Sequence, residues 1–218
     1  MNEERLKIKV CGMRDEANIA AVARLRPDFM GFIFYEGSSR YVGEGFDAAL
    51  LRQLPPGVAP VALFVNAGYD TVISTCHRYG FRWVQLHGSE EALLCRKLSE
   101  EGIGVIKAFA VSGSSVFENI KPYMPWCSYL LFDTPAVRFG GSGESFDWSV
   151  LAGYKGDLPF LLAGGIGPAN IDDALAGKVT GMAGVDINSR VERAPGLKDV
   201  AETELVINRV RGVYDEKS

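Results

Sequence analysis

Apolar, β-rich segments alternate with amphipathic segments along almost the whole chain. Each apolar segment is nearly continuous in its hydrophobicity, as expected of a strand that is buried on both faces of a parallel sheet. The eight predicted strands are Leu6–Val10, Phe29–Phe34, Ala59–Val65, Trp83–His87, Gly104–Phe109, Tyr129–Asp133, Phe160–Ala163 and Gly184–Ile187.

The amphipathic segments between the strands predict helices. Asp15 is placed to cap a helix over Ala17–Leu25. The segment Ser89–Glu101 opens with two glutamates, which suit the positive end of a helix dipole. The other predicted helices are Tyr69–Tyr79, one that begins at Pro168, and Lys198–Arg211, and the glycine-rich Gly140–Gly156 segment predicts a mobile loop with one short helix at Asp147–Leu151.

Eight strand-and-helix units in 218 residues favour a closed (β/α)8 barrel that forms one domain over residues 1–218. The alternative is an open, doubly wound parallel sheet. No GxGxxG motif follows the first strand, and eight strands are many for an open sheet of this length. We therefore predict the α/β fold of a (β/α)8 TIM barrel.

The composition of the chain argues against several functional classes. The chain is 47% hydrophobic and 23% charged, with a net charge of −4. Since it has no basic stripe and no apolar run of about 20 residues, we expect neither nucleic acid nor a membrane as a partner. The absence of a signal-peptide pattern and of paired cysteines predicts a cytoplasmic protein with reduced thiols. With only two histidines in unrelated contexts, we expect no metal site.

Polar and titratable residues gather at the carboxyl ends of the predicted strands, where barrel enzymes place their active sites. Gly164 and Gly165 follow the seventh strand, and Asn188 and Ser189 follow the eighth. Glycines allow backbone amides to approach a phosphate closely, and the loops after strands 7 and 8 commonly bind phosphate in barrels. A tight turn is the alternative explanation of the Gly-Gly pair, but the two loops together favour a phosphate site.

Cys11 and Asp133 end the first and sixth strands. A free cysteine is usually a small buried hydrophobe, which we expect of Cys76, Cys95 and Cys127. Cys11 differs because a glycine follows it at a strand end, and it could act as a base if nearby cations lowered its pKa. Asp133 could cap a turn, or a hydrophobic wall could favour its protonated form.

In a closed barrel, strands 6, 7, 8 and 1 are consecutive, so Asp133 and Cys11 would flank the phosphate loops. A phosphorylated sugar anchored there would lie between an acid and a base. Arg40, in the loop after strand 2, is either a solvated side chain or a clamp for a carboxylate. His87 is either structural or a hydrogen-bonding group of the site. Spacing alone does not decide either case.

The strand-end segments, taken in order, resemble those of the phosphoribosylanthranilate isomerase family of tryptophan biosynthesis. The resemblance covers nearly the whole chain. It rests on Lys9–Gly12, Gly31–Tyr35 with Ser39–Val42, Phe64–Asn66, Val84–Gly88, Phe132–Thr134, Gly140–Gly143 with Phe146–Trp148, Leu162–Ile166, and Gly184–Asp186 through Val191–Glu192, Pro195–Gly196 and Lys198–Asp199.

The resemblance implies an Amadori rearrangement of N-(5-phosphoribosyl)anthranilate to 1-(2-carboxyphenylamino)-1-deoxyribulose 5-phosphate, with no cofactor. It makes Asp133 the general acid at the ring oxygen and Cys11 the general base at C2. It places Arg40 against the anthranilate carboxylate. We also assign His87 and Asp186 to substrate binding, and we expect a monomer or homodimer.

Four positions depart from the usual family pattern: Ser39, Glu144, Asn188 and Arg190. None of them removes the acid or the base, and the role of Arg190 stays open. A metal-dependent epimerase would need more ligands than two histidines supply. An isomerase of histidine biosynthesis would use paired aspartates without a cysteine on strand 1. A catalytically silent phosphate-binding barrel is the alternative outside enzymes.

Overall fold

The computed structural model describes residues 5–111, 113, 115–133 and 148–215. Thr134, Glu144, the predicted glycine-rich loop up to Asp147 and the start of the predicted short helix lie outside these residues. In the described part of the chain, no helix is long and apolar enough to cross a membrane.

Eight parallel strands form a closed barrel, in which each strand pairs with the next and β8 pairs with β1. This confirms the predicted fold. The predicted bounds of β6 and β7 are correct, and the other strands differ by one or two residues at an end. The strands are β1 Lys7–Val10, β2 Phe29–Ile33, β3 Ala59–Phe64, β4 Trp83–Leu86, β5 Gly104–Ala110, β6 Tyr129–Asp133, β7 Phe160–Ala163 and β8 Met182–Ile187.

Helices follow the strands and cover the outside of the barrel. They are α1 Glu16–Ala23, α2 Ala49–Arg52, α3 Tyr69–Tyr79, α4 Ala92–Glu100, α5 Val116–Asn119, α6 Ile171–Ala176 and α7 Val200–Asp215, with 3₁₀ helices at Trp148–Gly153 and Ser189–Val191. The pattern did not predict α2 and α5, because four residues are too few to show helical periodicity. It also missed a small antiparallel hairpin of β9 Glu192–Ala194 and β10 Leu197–Lys198.

The helix starts show one prediction that is confirmed and one that is wrong. Asp15 caps α1, since its carboxylate accepts a hydrogen bond of 2.8 Å from the Asn18 amide. Glu90 does not serve the dipole of α4, which begins only at Ala92. Its carboxylate instead accepts from the amides of Asn66 and Gly88, at 2.8 and 2.9 Å. Glu90 therefore joins two strand-end loops.

Lys107 is the buried partner of Glu90, with 3.2 Å between Nζ and Oε2. Its ammonium also donates to the carbonyl oxygens of Leu86, Gly88 and Ala108. Lys107 lies in the middle of β5 and does not line the site described below. Its role is structural, because a buried cation needs partners for all its donors.

The apolar core has two layers separated by the sheet. Inward-facing side chains fill the barrel, and Phe29, Val61, Ile106, Leu131 and Leu161 are its main members. Outward-facing side chains of the same strands pack against the helices. Because side chains alternate along a strand, two residues separated by one position share the barrel interior. This geometry brings Lys9 and Cys11 to the same side of β1.

Candidate active site

A pocket of about 280 Å³ opens at the carboxyl ends of the barrel strands. All nine residues that the sequence assigned to the site line it: Cys11, Arg40, His87, Asp133, Gly164, Gly165, Asp186, Asn188 and Ser189. Gln85, Tyr35 and Ser38 add polar groups that were not predicted, and Ile33, Leu63, Val65, Ala163 and Ile166 supply apolar walls. The pocket has the size and lining expected for a small polar ligand.

Cys11 lies on the pocket floor and is 2% exposed. Gly31 on β2 makes room for it, since a Cβ atom at Gly31 would lie 2.7 Å from Cys11 Sγ and 3.2 Å from Lys9 Nζ. Burial raises the pKa of the Cys11 thiol, and the Lys9 ammonium lowers it by a smaller amount. Desolvation therefore exceeds the effect of the cation, so the condition named for Cys11 as a base, a pKa lowered by nearby cations, is not met by Lys9 alone.

Lys9 and Asp186 form a fully enclosed ion pair beneath Cys11. They are register partners on β1 and β8, and Lys9 Nζ lies 3.0 Å from both Asp186 oxygens. Burial lowers the pKa of Lys9, but Asp186 and Cys11 raise it further, so the ammonium is retained. Burial also raises the pKa of Asp186, against the opposing effect of Lys9. The cluster of Lys9, Asp186 and Cys11 thus has one cation, the Lys9 ammonium. It also has two acidic groups, the Asp186 carboxyl and the Cys11 thiol, and the negative charge can lie on either of them.

Asp133 stands across the pocket at the end of β6. Its side chain is 37% exposed, and Oδ2 lies 3.2 Å from His87 Nε2. Asp133 is therefore partly exposed, with a polar neighbour in hydrogen-bonding contact. Gln85, which is fully buried, contacts His87 Nδ1 through its amide nitrogen at 2.7 Å. With that amide donating, the imidazole carries its proton on Nε2 and donates to Asp133.

Arg40 is held at the pocket rim by Glu192 from β9. Arg40 Nη2 donates to Oε2 at 2.6 Å, and Nε donates to Oε1 at 2.9 Å. The buried Lys198 donates to Oε1 of the same carboxylate at 2.7 Å. Burial alone would raise the pKa of Glu192, but hydrogen bonds from Arg40 and Lys198 lower it overall. Arg40 is therefore a positioned group rather than a solvated loop side chain.

The loops after β7 and β8 meet at one side of the pocket. Gly164 and Gly165 have φ values of +94° and +66°, which glycine adopts without strain and which turn the loop tightly. Asn188 contributes its side-chain oxygen to Lys198 at 2.7 Å, and Ser189 begins a 3₁₀ helix. Arg190 packs along this loop, with Nε 3.9 Å from the position of a Cβ atom at Gly165.

The sequence analysis assigned no role to four polar residues of the site: Lys9, Gln85, Glu192 and Lys198. A signal for Lys9 and Gln85 was present, because each is a polar residue inside an apolar strand and two positions before a candidate residue, Cys11 or His87. A buried polar side chain needs partners, and the alternation of strands directs it to the same interior. Nothing in the spacing indicated that Glu192 would reach Arg40 or that Lys198 would hold Glu192.

Known proteins show the same fold and related sequences. A sequence profile of the family described as N-(5'phosphoribosyl)anthranilate (PRA) isomerase matches residues 8–209. The N-(5'-phosphoribosyl)anthranilate isomerase of Phocaeicola vulgatus is 40% identical over 204 residues, which cover 94% of this chain and 97% of that protein.

Solved structures agree with the sequence relatives. The phosphoribosyl anthranilate isomerase of Thermotoga maritima has a TM-score of 0.83 at 32% identity, with 95% of this chain and 99% of that chain covered. A phosphoribosyl anthranilate isomerase in complex with reduced 1-(o-carboxyphenylamino)-1-deoxyribulose 5-phosphate has a TM-score of 0.81 at 30% identity, with the same coverage. These matches confirm the resemblance seen in the strand ends, and the chain belongs to the N-(5'-phosphoribosyl)anthranilate isomerase family.

Proposed function

We propose that this enzyme rearranges N-(5-phosphoribosyl)anthranilate to 1-(2-carboxyphenylamino)-1-deoxyribulose 5-phosphate, with Asp133 as general acid and Cys11 as general base. The observation that carries the roles is the placement of one titratable group on each side of two glycine- and amide-rich loops in a single pocket. The structure of a relative with a reduced form of this product supports the choice of substrate.

The phosphate is proposed to bind at Gly164, Gly165, Asn188 and Ser189. Backbone amides at a tight glycine turn can donate to anions. These loops follow β7 and β8, which lie between the strands of Asp133 and Cys11 in the barrel order. A phosphate held there directs the ribose toward both side chains.

The first step opens the furanose ring. Protonated Asp133 donates its proton to the ring oxygen while the anthranilate nitrogen lone pair forms the double bond to C1. The C1–O bond breaks, and the product is a protonated Schiff base with a free hydroxyl group. His87, 3.2 Å from Asp133 Oδ2, stabilises the carboxylate that remains. Proton transfer by a positioned acid typically contributes about 10²- to 10⁴-fold.

The second step moves the double bond along the sugar. The Cys11 thiolate removes the proton from C2, and the electron pair of the C2–H bond neutralises the iminium nitrogen. The resulting enolamine takes up a proton at C1 and loses the hydroxyl proton at C2, which gives the ketone. A thiolate suffices as base because the adjacent iminium makes the C2 proton acidic. Atoms balance without any cofactor.

Arg40 is proposed to receive the anthranilate carboxylate. Glu192 occupies Nε and Nη2, while Nη1 makes no hydrogen bond with the described residues. A guanidinium recognises a planar carboxylate well because its donors are fixed in one plane. Asp186, whose oxygens face Lys9, shapes the floor beneath the sugar. Cytoplasmic location and a monomeric or homodimeric state stay predictions.

The test of this function is turnover of the fluorescent anthranilate substrate by the pure protein. We expect fluorescence to fall at a rate proportional to protein concentration, with the aminodeoxyribulose phosphate recovered as product. Binding of the reduced product analogue without any turnover would instead indicate a silent phosphate-binding barrel.

A further inference from the structure

Lys9 lies where no simple structural role requires a cation. It is 0% exposed inside the barrel, two positions before Cys11 on the same strand and on the same side. Most of the barrel interior is apolar, and replacing both Lys9 and its partner Asp186 by apolar residues would avoid desolvating two charges. A buried ion pair often adds little to the stability of the fold, because desolvation offsets the attraction between the charges. The position of Lys9 and Asp186 beneath Cys11 therefore suggests a role in the chemistry.

The three donors of the ammonium group account for this position. Two of them serve the two oxygens of Asp186, each at 3.0 Å. An ammonium has three protons, and the two bonds to Asp186 leave the third for another acceptor. The absence of a side chain at Gly31 leaves Sγ and Nζ in the same space beside β2. Lys9 therefore connects the thiol to the carboxylate.

We propose that Cys11, Lys9 and Asp186 form a buried proton relay that generates the thiolate base, an inference that rests on the proposed role of Cys11. The Lys9 ammonium donates a proton to an Asp186 oxygen, and the amine so formed takes the proton of the Cys11 thiol. The S–H bond breaks, an O–H bond forms, and Lys9 is an ammonium before and after. The cluster is neutral in both forms.

Charge conservation is the physical advantage of this arrangement. Ionising a fully buried thiol by release of its proton to water would leave an uncompensated charge in the barrel, which is costly. The relay moves the negative charge from one partner of Lys9 to the other, so the charge of the interior does not change. When Cys11 passes the substrate proton on to C1 of the enolamine, the thiolate is regenerated, and the relay in reverse then restores the thiol and the Asp186 carboxylate.

Other charged groups face the cluster from several elements. Arg40 and Lys198 act on Cys11 from the pocket rim and from β10. His87 and Asp133 act on Asp186 from β4 and β6. None of these groups has a hydrogen bond to Lys9 in the described residues, so substitutions at Lys9 and Asp186 isolate the relay.

The test is the ionisation of Cys11, measured from thiolate absorbance and from the alkylation rate, with the Cys11→Ser protein subtracted as the matched control. Asp186→Asn removes the competing anion and leaves Lys9 to Cys11 alone. We expect the thiolate fraction at neutral pH to rise about tenfold. The double variant Lys9→Met with Asp186→Asn keeps the interior neutral and preserves side-chain volume. We expect its thiolate fraction to fall below that of the natural protein.

The opposite directions of these two changes are the signature, because they show that Lys9 and Asp186 act on the ionisation of Cys11 in opposite senses. Identical titration in all three proteins would overturn the relay. Lys9→Arg separates the relay from simple charge attraction, because a guanidinium keeps its charge but does not release a proton. We expect this variant to lose at least tenfold in kcat with KM retained. The titrations need no substrate, so they stand apart from any failure of the isomerase assay.

Discussion

The carboxylate of Glu192 accepts hydrogen bonds from Nε and Nη2 of Arg40, with 2.6 Å between Nη2 and Oε2. Arg40 comes from the loop after β2, whereas Glu192 begins the small hairpin after β8, 152 residues later in the chain. Lys198 holds the same carboxylate from below, and the Glu192 side chain is only 4% exposed. The arginine is thus fixed before a substrate arrives, and less entropy is lost when it binds a carboxylate.

Replacing Arg40 tests whether the arginine held by Glu192 binds the substrate carboxylate. For Arg40→Ala we expect KM for the anthranilate substrate to rise at least tenfold, because a charge-assisted hydrogen bond is worth about 1.5–3 kcal/mol. The control substrate is an analogue that carries aniline in place of anthranilate and therefore lacks the carboxylate. An equal rise in KM for both substrates would contradict the clamp.

Glu192 also links stability to pH. Its pKa in the folded protein is lowered by Arg40 and Lys198, in spite of burial. The stabilising contribution is therefore complete above the unfolded carboxyl pKa of about 4.3 and is lost as pH falls through the lower folded value. Breaking a buried pair costs roughly 3 kcal/mol, so Glu192→Gln should lower Tm by about 6–12 °C at neutral pH. Calorimetry across acidic pH should show the difference shrinking below about pH 4. A constant difference would show that the charge is not responsible.

Gln85 and His87 should act as one unit on Asp133. Gln85→Leu removes the donor to Nδ1 and leaves the imidazole free to turn, so we expect kcat to fall roughly tenfold with KM nearly unchanged. His87→Ala should have a similar effect. If the two act together, the double variant will lose little more than either single one, which a double-mutant cycle measures. Strictly additive losses would separate their roles.

Gly31 sets the space available to the base. In Gly31→Ala the new methyl group would lie 2.7 Å from Cys11 Sγ, so the thiol or the strand must move. We expect kcat to fall at least tenfold, since displacement of a catalytic group by about 1 Å is costly. Binding of inorganic phosphate should persist because the glycine loops are on the opposite strands of the pocket. Gly45→Ala, at an exposed turn with no atom within 4 Å, controls for a glycine-to-alanine change away from the site. Unchanged turnover in Gly31→Ala would place the base elsewhere.

Much of the fold was accessible from the sequence because parallel strands in a barrel are buried on both faces. Tyr129–Asp133 and Phe160–Ala163 have an unbroken apolar character, and both were predicted with the bounds observed. The four-residue helix Ala49–Arg52 had no such signal, since one turn of helix cannot display a period. Glu90 was assigned to a helix start because a sequence cannot show that the loop after the neighbouring strand β3 presents an amide to it, at Asn66.

In the site, too, residues with a local sequence signal were predicted, whereas contacts between distant segments were not. Cys11, His87 and Asp133 could be found because strand ends in a barrel converge at one face. Ion pairs between distant parts of the chain could not be predicted. Arg40 contacts Glu192 because the β9–β10 hairpin lies beside it, and Lys9 contacts Asp186 because β1 pairs with β8. The balance between burial and charge at Cys11 depends on these partners, so the sequence could name nearby cations as a condition but could not show that burial outweighs them.

The central claim is the division of labour between Cys11 and Asp133, and the most direct measurement is single-turnover rearrangement by Cys11→Ser and Asp133→Asn. Both variants should retain binding of the reduced product analogue while turnover falls about 10²- to 10⁴-fold. With substrate deuterated at C2, Cys11→Ser should show an increased isotope effect, because proton removal then limits the rate. Turnover near that of the natural protein in either variant would contradict the assignment of acid and base.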